Sequence, residues 1–158
     1  FATQAVDLAQ WSTEQVKRWS VHPRAADLRH VAPPAGELVV DTRPPLLSQI
    51  LDNLIENAFK YSAPGTDVVV EVGRDGDAAV VKVSDRGLGL TPEEAAEAFT
   101  PFFRGERARR AGLSGVGLGL SVAERLASSL GGTLSVSSEP GRGSEFVLHL
   151  PTAQGGSP

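Results

Sequence analysis

One stretch constrains the fold of this chain more than any other, because it joins a broad apolar stripe to two asparagines at helical spacing. Its apolar residues recur as they do on one face of an α-helix: Leu47, Ile50, Leu51, Leu54, Ile55, Ala58 and Phe59. Asn53 and Asn57 share a neighbouring face. Asparagine is a mediocre helix former, and an amide buried without a partner costs about 1–3 kcal/mol. The stripe predicts a helix packed on a core, and the amides predict a partner that satisfies them.

Composition limits the class of protein. With 158 residues, 41% of them hydrophobic, the chain can bury one substantial core, as a single domain or as a piece of a longer protein. It has no run of about 18 apolar residues, so membrane contact by this segment is not expected. The absence of cysteine excludes disulfides and thiolate metal sites and fits a reducing compartment. A net charge of −4 gives no argument for nucleic acid as a partner.

Short apolar runs between turn residues predict the strands. Two hairpins are expected, one from strands at 67–72 and 78–84 and one from strands at 133–137 and 144–150, and two further strands are expected at 27–31 and 37–40. Together with the helices, these strands predict an α/β fold of the α+β two-layer sandwich type. It has a mixed, largely antiparallel sheet packed against helices on one face.

Capping residues and prolines mark the expected helices. A helical pattern covers 5–19, and the asparagine-bearing helix is expected to begin after the capping residues Asp41 and Thr42 and to end near Pro64. Thr91 predicts the cap of a short helix. The remaining expectations are a helix over 118–130, a mobile arginine-rich loop over 104–115 and a flexible tail over 152–158.

Four motifs follow one another along the chain: Asn53…Asn57-Ala58-Phe59-Lys60-Tyr61, Asp85-Arg86-Gly87-Leu88-Gly89, Gly115-Val116-Gly117-Leu118-Gly119-Leu120 and Gly141-Arg142-Gly143-Ser144-Glu145-Phe146. With the phenylalanine-rich stretch 99–104 between the second and third, they resemble the N, G1, F, G2 and G3 boxes of the ATP-binding catalytic domain of sensor histidine kinases. This Bergerat-fold family also includes gyrase, Hsp90 and MutL. The resemblance implies an ATP-binding core over 41–151 with a lid at about 99–117. Residues 1–40 would then supply the first helix and strands of the same domain.

The resemblance implies roles for the helix that carries the asparagines. Asn57 would hold Mg²⁺ through its amide oxygen, a ligand type that this cation accepts while it bridges nucleotide phosphates. Asn53, one turn earlier, would contact the water shell of the metal or a phosphate. Lys60 and Tyr61 would border the nucleotide. For Lys60 the alternative is an exposed lysine at a helix end.

Asp85 is expected to read adenine, because a carboxylate beside a pocket accepts from the exocyclic amine of adenine, where guanine presents a carbonyl. The resemblance implies that Gly87 and Gly89 let the backbone approach the base. Ser144 is expected either to join the adenine network through water or to serve as a turn serine.

The third motif precedes a helix, so its backbone amides and the helix dipole can meet phosphate oxygens. The residues concerned are Gly115, Gly117, Leu118, Gly119 and Leu120. A Rossmann fingerprint would need a glycine at position 120, and no Gly-Lys-Ser/Thr of a P-loop occurs. Arg104 is expected to clamp the terminal phosphate and to stabilise charge during transfer.

The reaction class depends on position 53. In water-splitting ATPases of the family a glutamate lies there as general base, whereas the amide of Asn53 cannot take a proton from water. Transfer of the γ-phosphoryl group to another acceptor is therefore expected, with Asn53, Lys60 and Arg104 as the catalytic residues. A nucleotide-binding interaction module without catalysis and an ATPase or serine kinase of the same family remain alternatives.

The acceptor histidine is expected elsewhere, because none of the three histidines has the neighbours typical of a phosphoacceptor: His22, His30 and His149. The resemblance thus implies ATP and Mg²⁺ as cofactors. It implies as partners a dimerisation and phosphotransfer domain of the same protein and a response regulator. A cytoplasmic location, within a membrane-anchored sensor, is also expected.

Overall fold

A five-stranded sheet forms the framework of the protein in the computed structural model, which describes residues 2–112 and 118–152, with the backbone alone at Arg107. The strands, in chain order, are β1 (Gln4–Asp7), β2 (Leu28–Val31), β3 (Val39–Thr42), β4 (Val68–Asp75), β5 (Ala78–Asp85), β6 (Thr133–Glu139) and β7 (Gly143–Pro151). The main sheet has the order β2-β4-β5-β7-β6, with β2 parallel to β4 and the other pairs antiparallel. The prediction of a mixed, largely antiparallel sheet is confirmed.

Five α-helices accompany the sheet over the described residues: α1 (Leu8–Lys17), α2 (Pro44–Tyr61), α3 (Pro92–Glu97), α4 (Glu106–Arg110) and α5 (Gly119–Ser129). Two short 3₁₀ turns, Arg18–Val21 and Ala25–Asp27, link α1 to β2. A separate antiparallel pair joins β1 to β3. None of these helices is long and apolar enough to cross a membrane.

The predicted apolar stripe of α2 is buried along its whole length, with no member more than 7% exposed. It packs on the inward-facing residues of three strands, which alternate with outward-facing ones: Val68, Val70, Val72, Ala79, Val81, Val83, Phe146, Leu148 and Leu150. This contact turns the other side of α2 away from the sheet.

Helix α5 packs beside α2 through small residues. Ala123 and Ala127 are both fully buried, which allows the two helices to lie close together. After α5 the chain turns at Gly131, which has φ +76°. The N–H groups of Gly131 and Gly132 return to the carbonyls of Ser128 and Ala127 at 3.0 and 2.9 Å, a Schellman motif that ends the helix where its glycines predict.

The predicted N-terminal helix begins later than its pattern suggests. The expected range starts at residue 5, but Gln4–Asp7 forms a strand in which Val6 pairs with Val40. Asp7 then caps α1, because its Oδ1 accepts from the Ala9 N–H at 3.1 Å. Asp7, which lies inside the predicted helical range, therefore marks the actual start of α1.

The capping residues predicted for α2 are also wrong. Asp41 and Thr42 belong to β3, which displaces the strand expected at 37–40 to Val39–Thr42. The cap position is Arg43, which has no side-chain capping bond and donates instead to the Ser129 carbonyl at 3.1 Å. The prolines expected in the first turn of α2 are confirmed.

The prediction of a mobile, irregular loop over 104–115 is wrong for part of this segment. Glu106–Arg110 forms α4, where Arg110 Nε lies 3.1 Å from Glu106 Oε1. Residues 113–115 lie outside the described part of the chain. In contrast, the helix cap predicted at Thr91 is confirmed, and the structure adds Glu94 as its partner in a capping box.

The packing of α2 predicts the effect of a cavity in the core. Leu54 is fully buried, so Leu54→Ala should lower the free energy of unfolding by about 2–5 kcal/mol in urea denaturation. Gln10→Ala, at an exposed position of α1, should change it by no more than about 0.5 kcal/mol. Equal unfolding free energies for the two variants would contradict this placement of the core.

Candidate functional site

A cavity of about 280 Å³ lies beside the unburied side of α2. Eleven of the predicted site residues line it: Asn53, Asn57, Lys60, Tyr61, Asp85, Gly89, Arg104, Leu118, Gly119, Leu120 and Ser144. Gly87 does not line the cavity and packs behind it. Gly115 and Gly117 lie outside the described residues. Residues that are far apart in the sequence therefore share one site.

Asp85 places a nearly buried carboxyl group on the cavity wall at the end of β5, with 8% of the residue exposed. Its Oδ1 accepts from the Gly87 N–H at 2.8 Å. Burial raises the pKa of Asp85 to about 6, and hydrogen bonds from the Gly87 and Ser144 amides and the positive charge of Arg24 oppose this rise. A polar acceptor is thus held on a cavity wall to which apolar side chains such as Leu88, Leu90 and Phe146 also contribute.

The loop after Asp85 is held by the end of α2. The Leu88 N–H donates to the Tyr61 carbonyl at 3.1 Å. A Cβ at Gly87 would overlap that same carbonyl and would lie 2.8 Å from Asp85 Oδ1. Only glycine at position 87 lets the loop pass this close to α2, so its role is backbone packing behind the cavity wall that carries Asp85.

The hairpin of β6 and β7 holds the other side of the loop. Gly141 N–H donates to the Leu88 carbonyl at 2.8 Å, and Leu90 N–H donates to Ser138 Oγ at 2.8 Å. Gly89, with φ +69°, packs on the backbone of Glu139, where a Cβ would overlap the carbonyl. The loop is therefore clamped between α2 and this hairpin.

Ser144 belongs to the same hydrogen-bonded group. Its Oγ lies 2.8 Å from Ser138 Oγ, which also donates to the Gly143 carbonyl at 2.9 Å. A Cβ at Gly143 would overlap the Asp85 carbonyl, which explains a glycine at this position of β7. The sequence patterns did not indicate Ser138, because one serine in a serine-rich strand carries no spacing signal.

The two asparagines of α2 differ in their contacts. Asn53 Nδ2 donates to the Gly119 carbonyl at 3.1 Å, and Asn53 Oδ1 accepts from Gln49 at 2.8 Å. The amide of Asn57 makes no hydrogen bond to any residue within 2–112 or 118–152 and faces the cavity. Asn53 thus links α2 to the start of α5, while Asn57 keeps its donor and acceptor for a ligand.

Positive charge and a helix N-terminus also meet the cavity. Lys60 Nζ lies 5.2 Å from the centre of the Tyr61 ring, and Arg104 lines the cavity from the segment before α4. Helix α5 begins at Gly119, and its cap position, Leu118, makes no side-chain capping bond. The amides of this first turn and the two cations all border the cavity, and each favours an anion.

Apolar side chains complete the wall, and most were not predicted individually: Leu88, Leu90, Ala98, Phe103, Ala108 and Phe146. Glu56 also lines the cavity, although it lies about 100° round α2 from Asn57. Phe99 packs against Phe146 with ring centres 6.1 Å apart, whereas Phe102 is 69% exposed with φ 68°. Phe99, Phe102 and Phe103 therefore lie in three different environments.

The raised pKa of Asp85 predicts a pH-dependent stability. Because the folded value of about 6 exceeds the ordinary 3.8, the carboxyl group stabilises the fold fully below pH 3.8, and this contribution is lost as pH rises through 6. Asp85→Asn cannot titrate. The unfolding free energy of the wild type minus that of Asp85→Asn should fall by roughly 3 kcal/mol over this window. Parallel pH profiles in urea denaturation would show that Asp85 titrates normally.

Comparison with known proteins agrees with this arrangement. The family model described as histidine kinase-, DNA gyrase B-, and HSP90-like ATPase matches residues 42–154. The sensor-like histidine kinase SenX3 of Mycobacterium tuberculosis is 37% identical over 92% of this chain, which spans 36% of the length of SenX3.

Two solved structures are also similar. The mycobacterial sensor histidine kinase MprB has a TM-score of 0.77 at 26% identity, over 96% of this chain and 98% of the MprB chain. Full-length ShkA in complex with AMPPNP has a TM-score of 0.76 at 28% identity, over 97% of this chain and 32% of ShkA. With most of its length matched by the family model, the chain belongs to the histidine kinase-, DNA gyrase B- and HSP90-like ATPase family.

Proposed function

We propose that this chain is the ATP-binding catalytic domain of a two-component sensor histidine kinase. It would position Mg-ATP for transfer of the γ-phosphoryl group to a histidine on a separate dimerisation domain. The observation that carries the proposal is the buried Asp85 carboxyl group in a cavity that Asn57 and Lys60 also line. The similarity to SenX3, MprB and ShkA supports it.

The base would lie at the Asp85 end of the cavity. The carboxylate accepts from the exocyclic amine of adenine, and it would meet a carbonyl oxygen if guanine entered. Leu88, Leu90 and Phe146 offer apolar surface to a flat ring. Ser144, already bonded to Ser138, is placed to hold a water between protein and base.

The phosphates would lie toward the start of α5. Helix α2 is bonded to Gly119 through Asn53 and to the loop after Asp85 through the Tyr61 carbonyl. These positions are eight residues apart along α2, or about 12 Å at 1.5 Å per residue. Helix α2 thus links the end of the cavity with Asp85, the acceptor for the base, to the end with the α5 amides, the donors for the phosphates.

The residues present fit a magnesium ion. Asn57 offers a neutral oxygen on the cavity wall, and its amide has no hydrogen-bond partner in the described ranges. Bound Mg²⁺ would supply charge neutralisation at the phosphoryl oxygens. Asn53, held by Gln49 and Gly119, would contact the water shell of the metal or a phosphate.

Lys60 and Arg104 would orient the γ-phosphoryl group and stabilise the charge that develops on it. The attacking histidine would come from a dimerisation and phosphotransfer domain of the same protein, and a response regulator would receive the phosphoryl group afterwards. The proposal includes an ATP-binding core at 41–151 with a lid at about 99–117, of which 113–117 lie outside the described residues. It also includes a cytoplasmic location within a membrane-anchored sensor.

Glu56 favours a second candidate, an ATPase. Its carboxylate lines the same cavity and, unlike Asn53, can accept a proton from water. Turnover of ATP by this chain alone, abolished in Glu56→Gln, would establish that reaction. Absence of turnover together with phosphorylation of a histidine in the full-length protein would establish the kinase.

Calorimetric titration tests the site itself. A nonhydrolysable ATP analogue should bind, its GTP counterpart should bind much more weakly, and Mg²⁺ should strengthen the former. Asp85→Asn should weaken binding about 10- to 100-fold, because a hydrogen bond to a charged acceptor is lost. Asn57→Ala should abolish most of the gain from Mg²⁺ while preserving the preference for adenine.

Asp77→Asn is the matched control, since Asp77 is an exposed aspartate in the turn between β4 and β5. It should bind like the wild type. Wild-type affinity in Asp85→Asn would remove the adenine assignment. No binding of either nucleotide by the wild type would favour an interaction module without catalysis.

A further inference from the structure

Arg24 is bonded to the end of α2 although it lies outside the cavity. Only 11% of its side chain is exposed, and its Nε donates to Asp27 Oδ2 at 2.8 Å. Its two terminal nitrogens donate to four backbone carbonyls at 2.9–3.1 Å: those of Phe59, Ser62, Ala63 and Thr66. The planar guanidinium presents five N–H donors and keeps its charge, so one side chain can hold this whole turn.

Arg24 helps to cap α2. A helix leaves its last four carbonyls without intrahelical partners, and α2 is followed by Ser62 in an extended conformation. In the last turn of α2, the Phe59 carbonyl accepts from Arg24 and the Ala58 carbonyl accepts from Ser62 Oγ at 2.6 Å. The other bonds of Arg24 hold the turn that follows the helix, and its charge suits the negative end of the helix dipole. Phe59 adds to the arrangement, since Arg24 lies 4.8 Å from its ring centre and His22 stacks on the ring at 4.5 Å.

The same helix end forms the base side of the cavity. The Tyr61 carbonyl accepts from Leu88 N–H, and Gly87 packs against that carbonyl. A displaced last turn of α2 would therefore displace the loop that follows Asp85. The charge of Arg24 also acts on Asp85, where it lowers the pKa against the effect of burial.

We propose that Arg24 is a positioning residue for the nucleotide base: it holds the last turn of α2 against the loop at 86–90, and this sets where Asp85 meets the base. The inference rests on the proposed function, because it concerns the adenine end of that site. Arg24 precedes the matched range 42–154, so the family match does not include it. A residue that only stabilised the fold would leave the affinity of the folded protein unchanged.

Calorimetric titration with the diphosphates of adenosine and of purine riboside, which lacks the exocyclic amine, separates these roles. In Arg24→Met, measured below its melting transition, adenosine diphosphate should bind about tenfold more weakly, roughly the effect of one lost hydrogen bond. The preference of the protein for adenosine diphosphate over purine riboside diphosphate should largely disappear. Arg24→Lys keeps the charge but loses the planar set of N–H donors. Its affinity and its preference should lie between those of the wild type and Arg24→Met.

Arg29→Met is the matched control. Arg29 is an exposed arginine of the same segment that donates to the Ala26 carbonyl at 3.0 Å and faces Asp67 at 3.7 Å. It should keep the affinity and the preference of the wild type.

Unchanged affinity and preference in folded Arg24→Met would overturn the proposal for Arg24 alone. If Arg24→Met does not fold, Arg24→Lys decides: a reduced preference for adenosine diphosphate supports the proposal, and a wild-type preference overturns it. A wild type without any preference would overturn the proposed function itself, and the inference with it.

Discussion

The burial of one face of α2 determines where the polar residues of this helix can lie. Its stripe of seven apolar residues packs on β4, β5 and β7, so rotation about the helix axis would expose part of the core. The remaining faces carry Asn53, Glu56, Asn57 and Lys60, and all four line the cavity. Core packing therefore orients the site, although none of these four residues belongs to the core.

Asp85 shows the energetic cost of such a site. Its carboxyl group is desolvated, which raises its pKa to about 6, and only two backbone amides and the charge of Arg24 offset that cost. A desolvated carboxylate beside apolar side chains is unfavourable for folding, and a ligand with a further matching donor would recover part of the loss. The same property that weakens the fold near neutral pH can thus provide selectivity in binding.

The sequence predicted what depends on local pattern. The stripe of α2, both hairpins and the helix cap at Thr91 follow from spacing and from turn residues, and the structure confirms them. The resemblance of the motifs to a known family predicted that residues as distant as Asn53 and Ser144 share one site, and both line the cavity. Spacing along the sequence alone could not predict this.

Contacts between distant segments were not predictable in the same way. The strand β1 exists because Val6 pairs with Val40, a partner far along the chain. Arg24 is a lone arginine in a weakly patterned segment, and only the folded chain brings the carbonyls after α2 within its reach. Ser138 gains its role from the register of β6 against β7, which no period in the sequence records.

The two helix ends at the cavity explain why a nucleotide would bind in one direction. Three of the last four carbonyls of α2 already accept hydrogen bonds, from Arg24, Ser62 Oγ and Leu88 N–H, so this end presents less negative potential to a ligand. The amide end of α5 has no capping side chain among the described residues and meets the cavity beside Asn53. In the proposed function, phosphates would be attracted to the second end, while an aromatic amine would find its acceptor, Asp85, near the first. The α5 amides and the Asp85 carboxyl group would thus separate the phosphate side of the cavity from the base side.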